Sequence, residues 1–233
     1  MSSKIQRIVI GLLALQIIAC TPTFADSILD ITPDTGASGF RLGGPISQVE
    51  TMSWSQSSTY TGVNIDALAG SIDGNPEVIS AYLSTSIGPS ATSADLVASA
   101  NVTAPAYVPG TPFSPLSIFT NLTLGPGNYY LTLFNPDTTG NVHLVWGRST
   151  STPVFGSGVS SNGEFFATTI DPTPGVSVNT ATPWQSSFDT SPYYDFAMTV
   201  DGSPVPSTSV LPATIVLLLF GLALQFRNRF KVA

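Results

Sequence analysis

The stretch LSIFTNLTLGPGNYYLTL, from Leu116 to Leu133, decides the fold class. Its apolar side chains recur at every second position on both sides of a single break. A period of two residues is typical of a half-buried β-strand, because successive side chains point to opposite faces of the sheet. The break, Gly125-Pro126-Gly127-Asn128, has the composition of a tight turn. We therefore expect two consecutive strands joined as a β-hairpin.

The same period continues through much of the chain. Apolar residues alternate with polar or small ones from Val63 to Ala69, from Ile79 to Leu83 and from Val142 to Trp146. Turn-forming residues separate these runs at Asp73-Gly74-Asn75-Pro76 and between Asn135 and Gly140. Nine or so short strands without a helical stretch predict an all-β fold. We expect an antiparallel β-sandwich, most similar to a jelly roll.

The end of the chain has a different composition. From Val210 to Phe226 it carries 17 residues without a charge. As a helix this run would span about 25 Å, at the short end of what crosses a bilayer core. Three basic residues follow, and positive charge is retained on the cytoplasmic side of a membrane. We therefore expect a C-terminal transmembrane helix with a cytoplasmic basic anchor, formed by Arg227, Arg229 and Lys231.

The beginning of the chain predicts export. Lys4 and Arg7 precede an apolar run, and small residues follow it, which is the order of a secretory signal peptide. We expect cleavage after Ala25. A competing site lies at Cys20, where the preceding residues loosely resemble a lipoprotein signal whose cysteine would be lipidated. Both alternatives place the body beyond the inner membrane, in the periplasm, at the cell surface or outside the cell, held by a C-terminal membrane anchor.

Together these features resemble the PEP-CTERM proteins of Gram-negative bacteria that produce exopolysaccharide. Val205 and Pro206 match the start of the family's Val-Pro-Glu-Pro motif, while Ser207 and Thr208 stand in place of Glu and Pro. The helix start is close to the Val-Pro-Leu-Pro-Ala form of the tail, whose Leu-Pro-Ala part is matched by Leu211, Pro212 and Ala213. The resemblance covers about 30 residues. It implies a membrane-embedded exosortase as a partner and an association with polysaccharide or biofilm.

A second resemblance covers Ser47 to Arg148. The order of Trp54-Ser55-Gln56-Ser57, Tyr60 to Ile65, Tyr82-Leu83-Ser84 and Leu124 to Leu131 is similar to exported β-sandwich modules that precede such tails. Those modules have no agreed activity, so the resemblance supports the fold alone. The predicted organisation is a signal peptide at 1–25, a β-sandwich at 26–200, a Pro/Ser linker at 201–209 and a sorting tail at 210–233.

The charge of the body excludes several functions. All 14 acidic residues lie between Asp26 and Asp201, where Arg41 and Arg148 are the basic residues. Such a surface repels nucleic acid and anionic lipid. An acidic polysaccharide would bind it only through a divalent cation. Cys20 is the single cysteine of the chain, so no disulfide bond stabilises the body.

Residues for catalysis are sparse. His143 is the single histidine and lies within a predicted strand, so we interpret it as a structural or surface residue. Two carboxylates for glycoside hydrolysis could come from Glu50, Glu77 and Glu164, but scattered acids are expected on an acidic surface. We predict no enzyme, no catalytic residue and no cofactor.

Two groups of oxygen-bearing side chains are candidate metal ligands. Asp73, Asn75 and Glu77 alternate across a turn that contains Gly74, a composition that can serve Ca²⁺. A hairpin turn of the Asp-Gly kind explains the same residues. Asp30 and Asp34 form a similar pair near the mature N-terminus. Neither group has the spacing of a dedicated motif, so we name no metal site.

Aromatic side chains are the remaining candidates for ligand contact. Trp54 and Trp146 lie within strand patterns, and we expect both in the core. Trp184, Tyr193 and Tyr194 lie in a looser segment and could form a face on which sugars stack. Two functions follow: a non-catalytic surface or matrix protein sorted by its tail, or alternatively a carbohydrate-binding module that uses these loop aromatics.

Overall fold

The structure is a computed structural model that describes residues 26–31, 39–43, 48–88, 90–137, 143–149, 151–168, 185–186 and 195–206. The predicted signal peptide, Cys20, Asp34, and the tail from 207 onwards lie outside the described residues. So do Trp184, Tyr193 and Tyr194.

The described residues form strands and one short 3₁₀ turn, Ser93–Asp95. The long strands coincide with the alternating runs of the sequence, because one face of each packs into the core. The strands are β1 (Asp26–Ile31), β2 (Gly39–Leu42), β3 (Gln48–Gln56), β4 (Tyr60–Ser71), β5 (Glu77–Ser84), β6 (Leu96–Ala104), β7 (Pro115–Leu124), β8 (Gly127–Phe134), β9 (Leu144–Ser149), β10 (Val154–Phe155), β11 (Val159–Thr168), β12 (Gln185–Ser186), β13 (Asp195–Phe196) and β14 (Met198–Pro204).

These strands make two sheets. The first has the order β10-β1-β14-β4-β9-β13, with β7 also paired to β4 and β2 also paired to β9. The second has the order β12-β11-β3-β8-β5-β6. Each pairing of two described strands is antiparallel. The predicted all-β, antiparallel β-sandwich is confirmed at this level.

Apolar side chains from both sheets fill one core. Met52 and Trp54 of the second sheet and Ile65 and Trp146 of the first belong to the same cluster of buried residues, and each is fully buried. Phe196 stacks on Trp146 with 4.5 Å between ring centroids. The predicted burial of both tryptophans is confirmed.

The break at Gly125-Pro126 does not close the predicted hairpin. β7 pairs with β4 in the first sheet, whereas β8 pairs with β3 and β5 in the second. The turn therefore carries the chain from one sheet to the other. The hairpin prediction was wrong because a period of two fixes which face a side chain takes but not which strand lies beside it.

The turn at Asp73-Gly74-Asn75-Pro76 is a second connection of this kind. It joins β4 of the first sheet to β5 of the second, so it is not a hairpin turn. Gly74 has a φ of 86°, a conformation that glycine adopts without steric cost. The connection from β8 to β9 also crosses between the sheets, at the same end of the sandwich. The start of β9 lies beside the end of β4 there, because Ser71 pairs with Leu144.

The last strand continues further than expected. β14 pairs with β4 as far as Pro204, which lies opposite Tyr60, so residues 201–204 of the predicted linker belong to the sheet. A bulge between Asp201 and Ser203 accommodates this extension. Val205 then donates its N–H to the carbonyl of Thr59 over 2.8 Å.

Candidate functional site

Asp73, Glu77 and His143 meet where the turn from β4 to β5 lies beside the start of β9. Each offers a side-chain ligand atom, and these atoms all lie within 4.8 Å of one another. The backbone fixes this arrangement. Ser71 lies opposite Leu144 in the pairing of β4 with β9, and the N–H of Ile72 donates to the carbonyl of His143 over 2.6 Å. The end of β4 therefore holds His143 beside Asp73.

Asp73 is held by hydrogen bonds to one of its two oxygens. The N–H of Asn75 and the hydroxyl of Ser71 donate to Oδ1 over 2.9 and 2.7 Å. These bonds favour the ionised carboxylate and lower the pKa of Asp73 to about 2. The other oxygen, Oδ2, faces His143 Nδ1 at 3.6 Å. One oxygen of an ionised carboxylate is thereby aimed at the imidazole.

Glu77 opens β5 on the other side of the turn and is half-buried. Burial and a side-chain hydrogen bond with Asp73 raise the pKa of Glu77 above its ordinary value, and the charges of Asp73 and Asp137 add to this rise. The charge of His143 acts in the opposite direction. Two carboxyls in contact repel when both are ionised, so a shared proton or a bound cation would stabilise the pair.

The sequence indicated part of this site. Asp73 and Glu77 stand close together, as their spacing across one turn suggested, whereas Asn75 contributes its backbone N–H to Asp73. The sequence predicts a structural or surface role for His143, and the structure places it in the cluster with 31% of its side chain exposed. The signal that could have revealed it is the pairing of the end of β4 with the start of β9, which sequence periodicity does not give.

Asp30, the described member of the other predicted oxygen pair, is separated from this site. Asp30 lies on β1 opposite Thr199, and Asp66 flanks the same residue from β4. With Asp201 they form an acidic group on the outer face of the first sheet. Burial and the charges of Asp30 and Asp66 raise the pKa of Asp201.

The two remaining carboxyl candidates lie inside the sandwich. Glu50 lies two residues before Met52 on β3, so its side chain is on the same, core-facing side of the strand. Glu164 of β11 pairs directly with Met52, so its side chain faces the core as well. Both are buried. Burial raises the pKa of Glu50 to about 8, although the Gln48 side-chain amide donates a hydrogen bond to it. Burial thus favours the neutral form of the Glu50 carboxyl, and Glu77 lies at the start of β5 rather than on β3 or β11.

The sorting residues are only partly described. Val205 is 43% exposed directly after β14, and Pro206 follows it outside any strand. Leu211, Pro212, Ala213 and the basic anchor at Arg227, Arg229 and Lys231 lie outside the described residues. In the part of the chain that is described, there is no helix with the length and apolar character to cross a membrane.

No protein-family model matches the chain, and no curated protein matches it.

Proposed function

We propose that this chain is an exported, non-catalytic protein of the cell surface or extracellular matrix. A signal peptide would deliver it across the inner membrane. A C-terminal, PEP-CTERM-like anchor would then sort it, with an exosortase and the membrane as partners. The observation that carries the proposal is the position of Val205 and Pro206, which follow the last strand directly, with the Val205 side chain at the surface and Val205 43% exposed, although its N–H is bonded to Thr59. A protease can reach a motif in that position.

The start of the folded body supports the same division of the chain. Asp26, the first residue after the expected cleavage site, is also the first residue of β1. It pairs with Gly202 of β14, three residues before Val205. Both proposed signals would therefore attach at one end of the same pair of strands. Removing either would leave the paired strands intact.

The character of the body supports an extracellular matrix role. It has one core between two antiparallel sheets, and we propose a jelly-roll arrangement for them. The acidic, lysine-free surface favours association with a polysaccharide layer through cations or neutral sugars rather than through phosphate groups.

The sorting proposal is tested by the C-terminal peptide of the mature protein. The chain is expressed in cells with and without an exosortase, and the peptide is identified by mass spectrometry. We expect loss of 220–233 in cells with the enzyme and an intact tail in cells without it. Identical, intact tails in both would overturn exosortase sorting.

A matched pair of variants locates the recognised residues. Pro206→Ala alters the motif beyond the strand, whereas Pro204→Ala changes a proline of β14 two residues earlier. We expect processing to fall in the first variant and to continue in the second. Equal processing of both would show that Val205-Pro206 is not what the enzyme reads.

The carbohydrate-binding alternative is a separate question. Trp54 and Trp146 are buried and cannot stack on a sugar. The alternative therefore rests on Trp184, Tyr193 and Tyr194, for which the described residues offer no support. A glycan array probed with the purified protein decides between the two functions. Binding that is lost on Trp184→Ala would favour the binding module.

A further inference from the structure

We propose that Asp73, Glu77 and His143 bind one divalent transition-metal ion of the Zn²⁺ class. This inference concerns the rim of the sandwich and does not depend on how the chain is exported or sorted.

The spacing of the ligand atoms fits one metal ion. Two ligands that each lie 2.0–2.1 Å from a tetrahedral Zn²⁺ are separated by about 3.4 Å. His143 Nδ1 and Asp73 Oδ2 are 3.6 Å apart, which is too long for a hydrogen bond but close to this separation. All three ligand atoms lie within 4.8 Å of one another, so small side-chain rotations would complete the set.

The surrounding structure prepares the ligands. Ser71 and Asn75 occupy Oδ1 of Asp73, which leaves Oδ2 directed at His143. The hydrogen bond between Ile72 N–H and His143 O fixes the position of the histidine backbone. Such outer contacts orient the ligands of metal sites. Little ordering would then remain to be done when the ion binds.

The ligand types select the class of ion. Carboxylate oxygens alone suit Ca²⁺ and Mg²⁺, whereas an imidazole nitrogen favours Zn²⁺ and its transition-metal neighbours. Two carboxylates and one histidine provide three ligands, which leaves a fourth position of a tetrahedral ion for water. The cation would also offset the repulsion between two ionised carboxylates that lie within 4.8 Å of each other.

The chain contains a matched comparison within itself. Asp30, Asp66 and Asp201 also gather carboxyls on the surface of the sandwich, but no histidine belongs to that group. If acidic charge alone attracted the ion, both groups would bind it. If both carboxylate and imidazole ligands are required, only the group that contains His143 would bind the ion.

The test uses the single histidine as the reporter. The full-length chain is prepared in detergent with Cys20→Ser, because a free thiol is itself a zinc ligand. Zn²⁺ is titrated into ¹⁵N-labelled protein while the imidazole nitrogens of His143 are observed by NMR. We expect saturation at one equivalent and a shift of one ring nitrogen to the range of a metal-bound imidazole. An equal concentration of Ca²⁺ should not move it.

Three variants identify the ligands. Asp73→Asn and Glu77→Gln should each weaken zinc binding at least tenfold, whereas Asp66→Asn should leave it unchanged. Circular dichroism and thermal unfolding confirm that each variant is folded. An unmoved His143 resonance in excess Zn²⁺, or equal weakening by Asp66→Asn and Glu77→Gln, would overturn the proposal and leave an ordinary surface ion pair.

Discussion

The two ends of the sandwich are closed in different ways. At the end where β4 begins, neutral side chains close the corner between β7 and β8. Gln56 accepts a hydrogen bond from Trp54 and donates to the carbonyls of Leu124 and Gly125, and the hydroxyl of Tyr129 donates to Gly125. At the end where β4 finishes, Asp73, Glu77 and His143 meet instead. The ends are roughly 35 Å apart, since a strand rises about 3.3 Å per residue.

This difference separates a structural role from a binding role. The Gln56 corner is buried, and its neutral donors and acceptors are matched, so its contribution is to stability. The cluster at the opposite end is partly exposed and brings like charges together, which costs free energy. Charged groups that are held together at such a cost are typical of sites that bind a ligand.

The largest expected effect removes the core that both ends share. Trp146→Ala should lower the free energy of unfolding by about 3–5 kcal/mol, because the side chain is fully buried. It would also remove the hydrogen bond from Nε1 to the carbonyl of Ala197. Urea unfolding measures the change, with Phe155→Ala at a 37% exposed ring as the control. A loss no larger than that of the control would contradict the assigned core.

A smaller effect is expected at the neutral corner. Gln56→Ala should lower the free energy of unfolding by about 2–3 kcal/mol, because it leaves the buried N–H of Trp54 and the carbonyl of Leu124 without this partner. The neighbouring Ser55→Ala is the control, since Ser55 makes an exposed hydrogen bond with Ser160. Urea unfolding of both variants compares them. Similar, small losses would mean that Gln56 does not close the corner.

The sequence predicted more of the strands than of their neighbours. Alternation identified β4, β5, β7 and β8 within a few residues, because burial of one face imposes it. It could not show that the turn at Gly125-Pro126 passes between sheets, since the pairing partners are distant in the chain. The same limit hid the site. Asp73 and His143 are brought together by the pairing of Ser71 with Leu144, which no local pattern encodes.

A pH-dependent effect is expected from the buried carboxyl of Glu50. Its pKa rises from 4.5 to about 8 on folding, so the folded protein holds a proton that the unfolded chain releases in this range. The contribution of Glu50 to the free energy of unfolding should therefore be largest below pH 4.5. It should fall by about 1.4 kcal/mol per pH unit as the pH rises to 8.

Glu50→Gln isolates that contribution. Glutamine resembles the neutral carboxyl, so the variant should lose this fall in stability. Urea unfolding at pH 5, 6, 7 and 8 gives the difference between the two proteins. Parallel curves would show that Glu50 is ionised in the folded state.

The smallest expected effect lies at the charged end and sharpens the contrast between the ends. Without metal, Glu77→Gln should change the free energy of unfolding by no more than about 0.5 kcal/mol, because a partly exposed side chain is replaced by one of the same shape. The loss of a like charge beside Asp73 also offsets the loss of a hydrogen bond.

With Zn²⁺ the stabilities of the original protein and of Glu77→Gln should diverge, because an ion that binds the folded state alone stabilises it by about 2.7 kcal/mol at 100 times its Kd. Thermal unfolding with and without Zn²⁺ measures this, and an equal rise in Tm for both proteins would assign the ion to another place. A large loss of stability in Glu77→Gln without metal would instead make this end structural, as the Gln56 corner is.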